Sequence, residues 1–144
     1  MKNFIVLTEN EIKELNSLSG SGYVFDWTQH SSPAAKTVSY IANGDIAGLV
    51  EFERQPENKF DYLWLIEVAD DYKGKGIAGK LLAYVGKDSL DAGFESFVLF
   101  EAKSALYEYY QVAYKAKPVK GRLLYFDTEA TLWLIKEYLE GEEQ

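Results

Sequence analysis

The chain has 144 residues, of which 47% are hydrophobic and 26% are charged. That length lets one domain bury a core without a disulfide or a metal ion. The absence of cysteine excludes disulfides and thiolate catalysis, and it fits a reducing cytoplasm. The net charge of −8 argues against nucleic acid as a partner and favours a cationic one. Because the sequence has no signal peptide and no apolar run of about 18 residues, we expect a cytoplasmic protein without membrane contact.

The first third of the chain predicts a strand, a helix and an irregular segment. Residues 3–8 are apolar and β-branched, which favours a strand. Thr8 and Glu11 have the spacing of a capping box, so a helix should begin there and end at the Ser-Gly-Ser-Gly sequence of residues 19–22. Residues 23–35 mix aromatic and polar side chains without a period, and we expect them to lie over a cleft.

The middle of the chain predicts an antiparallel hairpin followed by a central strand. Asn43 and Gly44 separate two β-rich runs, 37–42 and 46–54, and Asn-Gly is the strongest short hairpin signal. The run 61–69 is almost continuously apolar, which is typical of a strand buried on both faces.

The rest of the chain predicts alternating helices and strands. Apolar residues at helical spacing begin at Ile77 and continue to about Ala92, and a strand at 94–102 follows. Strands 61–69 and 94–102 should therefore be parallel, with a right-handed crossover. A helix at 104–116, a strand at 122–127 and a helix at 128–139 complete the prediction. Because no linker or repeat interrupts this order, we expect residues 1–144 to form a single α+β or α/β domain.

A glycine- and lysine-rich stretch, Tyr72–Leu82, lies between the central strand and the helix that begins near Ile77. The first turn of a helix leaves backbone N–H groups unpaired and carries partial positive charge, so it binds phosphate well. Glycines before the helix let the loop curl with no Cβ in the way. We call residues 73–79 the glycine loop, and we expect it to bind a phosphorylated ligand. Two lysines in the loop, Lys73 and Lys75, add positive charge, and so does Lys80 directly after it.

Three interpretations of this loop compete with one another. Gly74, Gly79 and Lys80 match part of a nucleotide-triphosphate loop, but that motif needs Ser or Thr next, and position 81 is Leu. The same loop fits a dinucleotide fingerprint loosely, with Glu101 near the place of the ribose-binding acid. That fingerprint normally follows the first strand of a domain, whereas several strands come before it here. A glycine-rich loop that binds nothing is the third interpretation.

The segment Val68–Leu82 also resembles the acetyl-CoA-binding motif of the Gcn5-related N-acetyltransferases (GNAT), Gln/Arg-x-x-Gly-x-Gly/Ala. Lys73, Gly76 and Ala78 occupy its three defined positions, with Lys in place of Gln or Arg. In that family the backbone amides of the loop bind the pyrophosphate of CoA, so the resemblance implies acetyl-CoA as the co-substrate.

The order of elements resembles the same family over nearly the whole chain. It implies a mixed, mostly antiparallel sheet flanked by helices, in which the parallel strands 61–69 and 94–102 splay apart and hold pantetheine near Glu67 and Val68. The helix that follows usually begins with an Asn that contacts CoA, and Lys103 has that position here. The residues implied in cofactor binding are Val68, Lys73, Gly74, Lys75, Gly76, Ile77, Ala78, Gly79, Lys80 and Lys103.

Acetyl transfer from a thioester to an amine needs a neutral amine and a proton for the departing thiolate. In the family a Tyr seven residues after the Asn position often supplies that proton, which here is Tyr110, and Tyr107 one turn earlier is the alternative. Several tyrosines of this helix could instead belong to the core. Glu67 is the candidate base, directly or through water. It could instead bind a cationic substrate or simply lie on an exposed face.

The acceptor site of the family corresponds to the irregular segment. Tyr23, Asp26 and Trp27 could surround an amine by charge and cation–π contact. His30 is the one histidine and is a fourth candidate for binding the acceptor in this segment, although a lone histidine in a loop is usually structural.

We therefore expect an N-acetyltransferase whose acceptor is a small-molecule or peptidic amine and whose reaction needs no metal. The alternatives are a catalytically silent acyl-CoA-binding module and a nucleotide-binding enzyme. Trp133 and Tyr138 in the last helix would suit a homodimer interface.

Overall fold

A computed structural model describes residues 1–15, 23–95 and 97–143. Among them, seven strands form one sheet. The strands are β1 (Phe4–Val6), β2 (Lys36–Ala42), β3 (Asp45–Gln55), β4 (Phe60–Val68), β5 (Val98–Glu101), β6 (Lys117–Lys120) and β7 (Leu123–Phe126). They lie in the order β1-β2-β3-β4-β5-β7-β6, and β4 and β5 are parallel while the other neighbours are antiparallel. The predicted mixed, mostly antiparallel sheet is confirmed.

Helices cover both faces of this sheet. They are α1 (Glu9–Lys13), α2 (Ile77–Asp91), α3 (Tyr107–Tyr114) and α4 (Thr128–Leu139). Residues of α2, α3 and α4 belong to the larger buried cluster, together with Leu63 and Phe100 of the parallel strands. A smaller cluster on the other face joins Ile12 of α1 and Trp27 to Leu49 of β3. In the described part of the chain, no helix has the length and apolar character that crossing a bilayer requires.

Local signals explain several of these elements. At the start of α1 the Glu11 N–H donates to Thr8 Oγ1 at 3.2 Å and the Thr8 N–H donates to Glu11 Oε1 at 2.9 Å, so the predicted capping box is present. Asn43 (φ 53°) and Gly44 (φ 80°) both adopt the left-handed conformation that a tight hairpin requires. The first helix ends at Lys13, with Glu14 as its C-cap, which is earlier than the predicted end at residues 19–22; those four residues lie outside the described residues.

Two predicted boundaries are wrong, and one strand was not predicted. The strand predicted at 94–102 begins only at Val98, because Gly93 (φ 81°) and Glu95 (φ 56°) form a turn first. The helix predicted at 104–116 starts with a 3₁₀ turn and ends at Lys115, which is left-handed. Strand β6 was not predicted because it contains Pro118, and a proline fits a sheet at its edge, where β6 lies.

The two parallel strands separate soon after they meet. β4 pairs with β5 at Asp61–Val98, Tyr62–Leu99 and Leu63–Phe100. On its other side, Leu65 lies opposite Glu51 of β3 and Leu63 lies opposite Phe52, so Trp64 is an extra residue and forms a β-bulge. The bulge bends β4 away from β5 beyond Leu63. For this reason β4 is not buried along both faces, as the sequence had suggested, but borders an opening in the sheet.

A buried carboxyl group lies at the start of β4. The Asp61 side chain is fully buried, and no donor among the described residues reaches either of its oxygens. Burial and the neighbouring Asp88 carboxylate raise the pKa of Asp61 to about 9. Asp88 itself pairs with Arg54 through two hydrogen bonds of 2.8 and 2.9 Å. Asp61 therefore keeps its proton in the folded protein and can donate it to Asp88.

Asp61→Asn should stabilise the protein at pH 8 and change little at pH 4. The folded-state pKa of Asp61 lies above its unfolded value, so the stability that it contributes is complete below pH 4 and is lost as the pH rises towards 9. An asparagine amide can donate to Asp88 at every pH. We expect a gain of roughly 1–3 kcal/mol in unfolding free energy at pH 8, measured by urea unfolding. Exposed Asp91→Asn is the control, and destabilisation by Asp61→Asn at pH 8 would contradict the assignment.

Candidate active site

A cavity of about 730 Å³ lies where β4 and β5 separate. It extends from the end of the central strands to the glycine loop and to α3. We call it the central cavity. Its lining residues are Phe25, residues 63–68, Tyr72, Lys73, Gly74, residues 76–78, residues 100–103, Leu106, Tyr109, Tyr110, Tyr114 and Tyr138.

Backbone groups of β4 face this cavity. The Ala69 N–H donates to the carbonyl of Ala47 at 2.9 Å. Hydrogen-bonded pairs alternate along an antiparallel ladder, so Glu67 and Leu65 also bond to β3, while the N–H and C=O groups of Ile66 and Val68 point the other way. Among the residues that the structure describes, no strand pairs with that side of β4 beyond Leu63. These groups can therefore pair with an extended ligand.

The glycine loop presents free backbone amides at the start of α2. Gly76 (φ 81°) is the N-cap residue and has no side chain to cap the helix. The first bond of the helix runs from the Lys80 N–H to the Gly76 carbonyl at 3.1 Å. Among the described residues, no acceptor contacts the N–H groups of Ile77, Ala78 and Gly79. Unpaired N–H groups at a helix N-terminus carry partial positive charge, so this loop can hold an anion at the edge of the central cavity, as the predicted site requires.

The lysines of the loop are less available than the sequence suggested. Lys73 lines the cavity but pairs with Asp70 at 2.9 Å. Lys75 lies outside the lining, with its ammonium 5.5 Å from the centre of the Tyr72 ring. Lys80 points away from the cavity and pairs with Glu142, which also accepts a hydrogen bond from Tyr40. The backbone amides, rather than a cluster of free ammonium groups, define this loop.

Gly79 is needed for packing between α2 and α4. A Cβ atom at this position would lie 2.4 Å from ring atoms of Tyr138, which is too close for any real contact. The Tyr138 ring packs between Trp133 and Tyr114, with ring centres 6.2 Å apart in both cases. Tyr138 packs against the glycine loop and lines the central cavity. The dimer interface at Trp133 and Tyr138 stays a prediction.

The predicted proton donors differ in their position. Tyr110 lines the central cavity, and its ring packs edge-on against Phe100 at 5.0 Å between centres. Burial, with a smaller contribution from Tyr109, raises the pKa of Tyr110, so the phenol stays protonated near neutral pH. Tyr107 packs against the larger core and is not part of the lining. The structure therefore brings Tyr110 to the cavity and leaves Tyr107 beside it.

The Glu67 carboxylate contacts three donors from one short segment. Val24 N–H donates to Oε2 at 2.5 Å, and Phe25 N–H and the indole N–H of Trp27 donate to Oε1 at 3.1 and 2.8 Å. Residues 24–27 contain no helix or strand of their own. Glu67 thus lies in the cavity wall, as predicted, and also holds this segment against β4.

The four predicted acceptor residues do not line the central cavity. Tyr23 donates to the Ile46 carbonyl at 2.8 Å, and burial, then the charge of Glu67, raises its pKa. Exposed Asp26 accepts from the Thr28 N–H at 3.0 Å, and Trp27 is buried in the smaller cluster. The structure gives each of these three side chains a local role.

The fourth predicted acceptor residue is His30. Its Nε2 lies 3.0 Å from Glu9 and its Nδ1 lies 3.5 Å from Glu51. The ring therefore contacts Glu9 of α1 through Nε2, whereas Nδ1 has no hydrogen-bond partner among the described residues, and His30 is not part of the cavity lining.

Phe25 is the residue of this segment that reaches the central cavity. The ammonium group of Lys103 lies 4.7 Å from the centre of the Phe25 ring. Lys103 follows β5, whereas Phe25 is held on β4 by Glu67. Sequence reasoning missed Phe25 because its position depends on contacts more than 40 residues away along the chain. We call this contact the Phe25–Lys103 bridge.

Of the competing interpretations of the glycine loop, the nucleotide-triphosphate loop does not fit this geometry. Leu81, at the place of the magnesium-binding hydroxyl, is fully buried in the core. Glu101, the candidate for a ribose contact, pairs with Arg122 at 2.8 Å. The described residues also contain no group of three or more side chains that could hold a metal ion.

The model of the acetyltransferase (GNAT) family matches residues 7–114. The chain belongs to this family. The matched range includes the glycine loop, both separated strands and α3. No curated protein sequence matches the chain.

Solved structures of the family have the same fold. Tetrahymena GCN5 is 13% identical, with a TM-score of 0.63 over 87% of this chain and 95% of that one. AtaTR bound with AcCoA is 16% identical, with a TM-score of 0.62 over 94% and 99%. The AtaT–AtaR complex bound to DNA is 17% identical, with a TM-score of 0.64 over 92% and 98%. At these identities the likeness extends to the fold.

Gly79→Ala should destabilise the protein by about 1–2 kcal/mol, because its methyl group would collide with the Tyr138 ring. In a Tyr138→Ala background the sign should reverse. The collision is then absent, and alanine is a better helix former than glycine by up to about 1 kcal/mol. Thermal unfolding of the four proteins of this cycle measures the effect. Equal effects of Gly79→Ala in both backgrounds would show that Tyr138 is not the cause.

Proposed function

We propose that the protein is an acetyl-CoA-dependent N-acetyltransferase that transfers acetyl to a primary amine. The observation that carries the proposal is the set of free amides at the start of α2, which open onto the gap between β4 and β5. A diphosphate at those amides leaves a cavity of the right shape for an extended thioester arm. Membership of the GNAT family supports the same reaction class.

The cofactor would lie along the central cavity from the glycine loop to β4. The amides of Ile77, Ala78 and Gly79 would bind the pyrophosphate, since anions are stabilised at a helix N-terminus. The pantetheine amides would pair with the backbone groups of Ile66 and Val68, as an added strand does. The AcCoA bound in AtaTR, which has a similar fold, supports acetyl-CoA as the ligand.

The chemistry would be direct attack of the neutral acceptor amine on the thioester carbonyl. The C–N bond forms, the C–S bond breaks, and the CoA thiolate leaves with a proton from Tyr110. The protonated amide nitrogen loses its own proton to water or to a base, and the phenolate recovers one from solvent. Tyr110 lies in the cavity with a protonated phenol, which supports it over Tyr107 as the donor.

The acceptor would approach from the face opposite the glycine loop. Ile66 and Val68 pack towards the core that contains α2, and side chains alternate along a strand, so Glu67 lies on the other face. Phe25 is on that face and borders the cavity. We propose a small-molecule or peptidic amine as the acceptor. AtaT was solved in a complex that includes AtaR and DNA, but the net charge of −8 disfavours direct contact of this chain with nucleic acid.

Ligand-dependent thermal stability and thiol release test the proposal together. Acetyl-CoA should raise the unfolding midpoint, while ATP and NAD at equal concentration should not, because a ligand of the native state stabilises it by mass action. A panel of primary amines should then release CoA thiol. Stabilisation by ATP or NAD alone would refute acetyl-CoA binding. Binding of acetyl-CoA without thiol release from any amine would favour the silent acyl-CoA-binding module.

Gly76→Asp should weaken acetyl-CoA binding by about 30-fold or more, because it places a negative charge beside the amides that would hold the pyrophosphate. Gly76→Asn is the matched control, since asparagine and aspartate both tolerate the left-handed conformation of this position. Titration calorimetry measures both affinities. Equal affinities of the two variants would mean that no phosphate lies at Gly76.

Tyr110→Phe should lower kcat by about 100-fold and change the acetyl-CoA affinity by less than about threefold, because it removes a proton donor but keeps the ring. Tyr107→Phe provides the comparison and should retain most of the rate. Single-turnover thiol release measures the chemical step. If Tyr107→Phe loses the rate and Tyr110→Phe does not, the donor is Tyr107, and if neither does, the proton comes from water.

A further inference from the structure

Glu67 makes three hydrogen bonds to a segment that has no secondary structure of its own. The donors are two successive backbone amides, Val24 and Phe25, and the indole of Trp27, at 2.5 to 3.1 Å. Hydrogen bonds to an ionised carboxylate are about twice as strong as neutral ones. Glu67 therefore supplies residues 24–27 with the hydrogen-bond acceptors that a neighbouring strand would otherwise provide. These bonds hold the segment against β4 beside the bulge at Trp64.

The rest of the segment is fixed around these bonds. Tyr23 is bonded to Ile46 of β3, and Trp27 is 4% exposed in the smaller core cluster. Val24 lies between them and is 86% exposed. Phe25 is left as the side chain that turns into the central cavity. The contacts of Tyr23 and Trp27 on either side of Phe25, and its hydrogen bond to the Glu67 carboxylate, thus set its position.

The Phe25–Lys103 bridge crosses the gap between the two separated strands. Phe25 is tied to β4 through Glu67, and Lys103 is the second residue after β5. Their contact at 4.7 Å has the geometry of a cation–π interaction, which contributes about 0.5–2 kcal/mol according to its exposure. Beyond Leu63 and Phe100, β4 and β5 share no hydrogen bond. The Phe25–Lys103 bridge therefore connects them through side chains, on the face away from the glycine loop.

We propose that Glu67 is a positioning residue that sets the acceptor side of the site. Its carboxylate holds residues 24–27 so that Phe25, beside Lys103, forms the wall that the amine contacts when it reaches the thioester. The role rests on the acetyl transfer proposed above, and it differs from the role of a base. An ionised carboxylate has about four lone-pair positions, and three of them here face N–H donors. Three acceptor positions of the carboxylate thus serve residues 24–27, and one position on Oε2 is left.

The first measurement concerns the segment itself. Glu67→Gln exchanges one acceptor oxygen for an N–H₂ group, which cannot accept the bonds that reach that atom. Amide hydrogen exchange at Val24 and Phe25 should become at least about tenfold faster in this variant, while exchange in α2 stays unchanged. Unchanged protection of both amides would overturn the proposal, whether or not the protein proves to be an acetyltransferase.

The second measurement separates positioning from base catalysis. With n-propylamine and spermidine as acceptor probes, Glu67→Gln and Phe25→Ala should each raise the acceptor KM by about tenfold, with kcat and the acetyl-CoA KM within about threefold of the unchanged protein. The double variant should be no worse than the more affected single one, because both changes act on one contact. Val24→Ala keeps its backbone N–H and is the matched control, which should retain the original KM.

If Glu67 were instead the general base, the kinetic effects of Glu67→Gln would be different. Glu67→Gln would then lower kcat by about 100-fold or more and add fully to Phe25→Ala. That outcome would overturn the positioning role and leave acetyl transfer intact. If neither amine releases thiol, the acetyl transfer proposal fails for these probes. The same comparison is then made on acetyl-CoA hydrolysis by water, where a 100-fold loss in Glu67→Gln alone again contradicts positioning.

Discussion

Beyond Leu63 and Phe100 the two parallel strands have no hydrogen bond between them, and the rest of the site depends on that separation. The bulge at Trp64 turns β4 away while β5 continues its pairing with β7. The backbone groups that would have formed a ladder are then free to meet a ligand. The sheet remains continuous because three residue pairs at the base of the gap still hold it together. A single irregularity therefore creates both a cavity and a set of unsatisfied donors and acceptors along its wall.

At the glycine-loop end of the central cavity, the positive charge comes from backbone N–H groups rather than from side chains. The glycine loop and the residue after it contain three lysines, yet Lys73 and Lys80 are paired with Asp70 and Glu142 in the folded protein, and Lys75 does not line the cavity. The positive charge that the cavity meets without a partner comes from the first turn of α2, whose amides carry partial positive charge in fixed directions. Such a site suits a protein of net charge −8, because it binds an anion locally without a surface of free cations.

Local signals in the sequence were sufficient for much of the fold. The Asn43-Gly44 turn, the Thr8 capping box and the start of α2 at Ile77 each depend on residues close together in the chain, and each was predicted correctly. The features that were missed depend on distant partners. Strand β6 exists because an edge position tolerates Pro118, and Tyr138 reaches the glycine loop because Gly79 leaves room for its ring. Phe25 lines the cavity because Glu67 lies beneath its segment, which no local pattern reveals.

The central claim is that the first turn of α2 binds the diphosphate of acetyl-CoA, and amide NMR tests it most directly. On titration with acetyl-CoA, the N–H signals of Ile77, Ala78 and Gly79 should move downfield and exchange more slowly with solvent, because they gain charged acceptors. Signals of Ile66 and Val68 should shift at the same ligand concentration. If acetyl-CoA binds while the three amides of α2 keep their shifts and exchange rates, the cofactor lies elsewhere and the account is wrong.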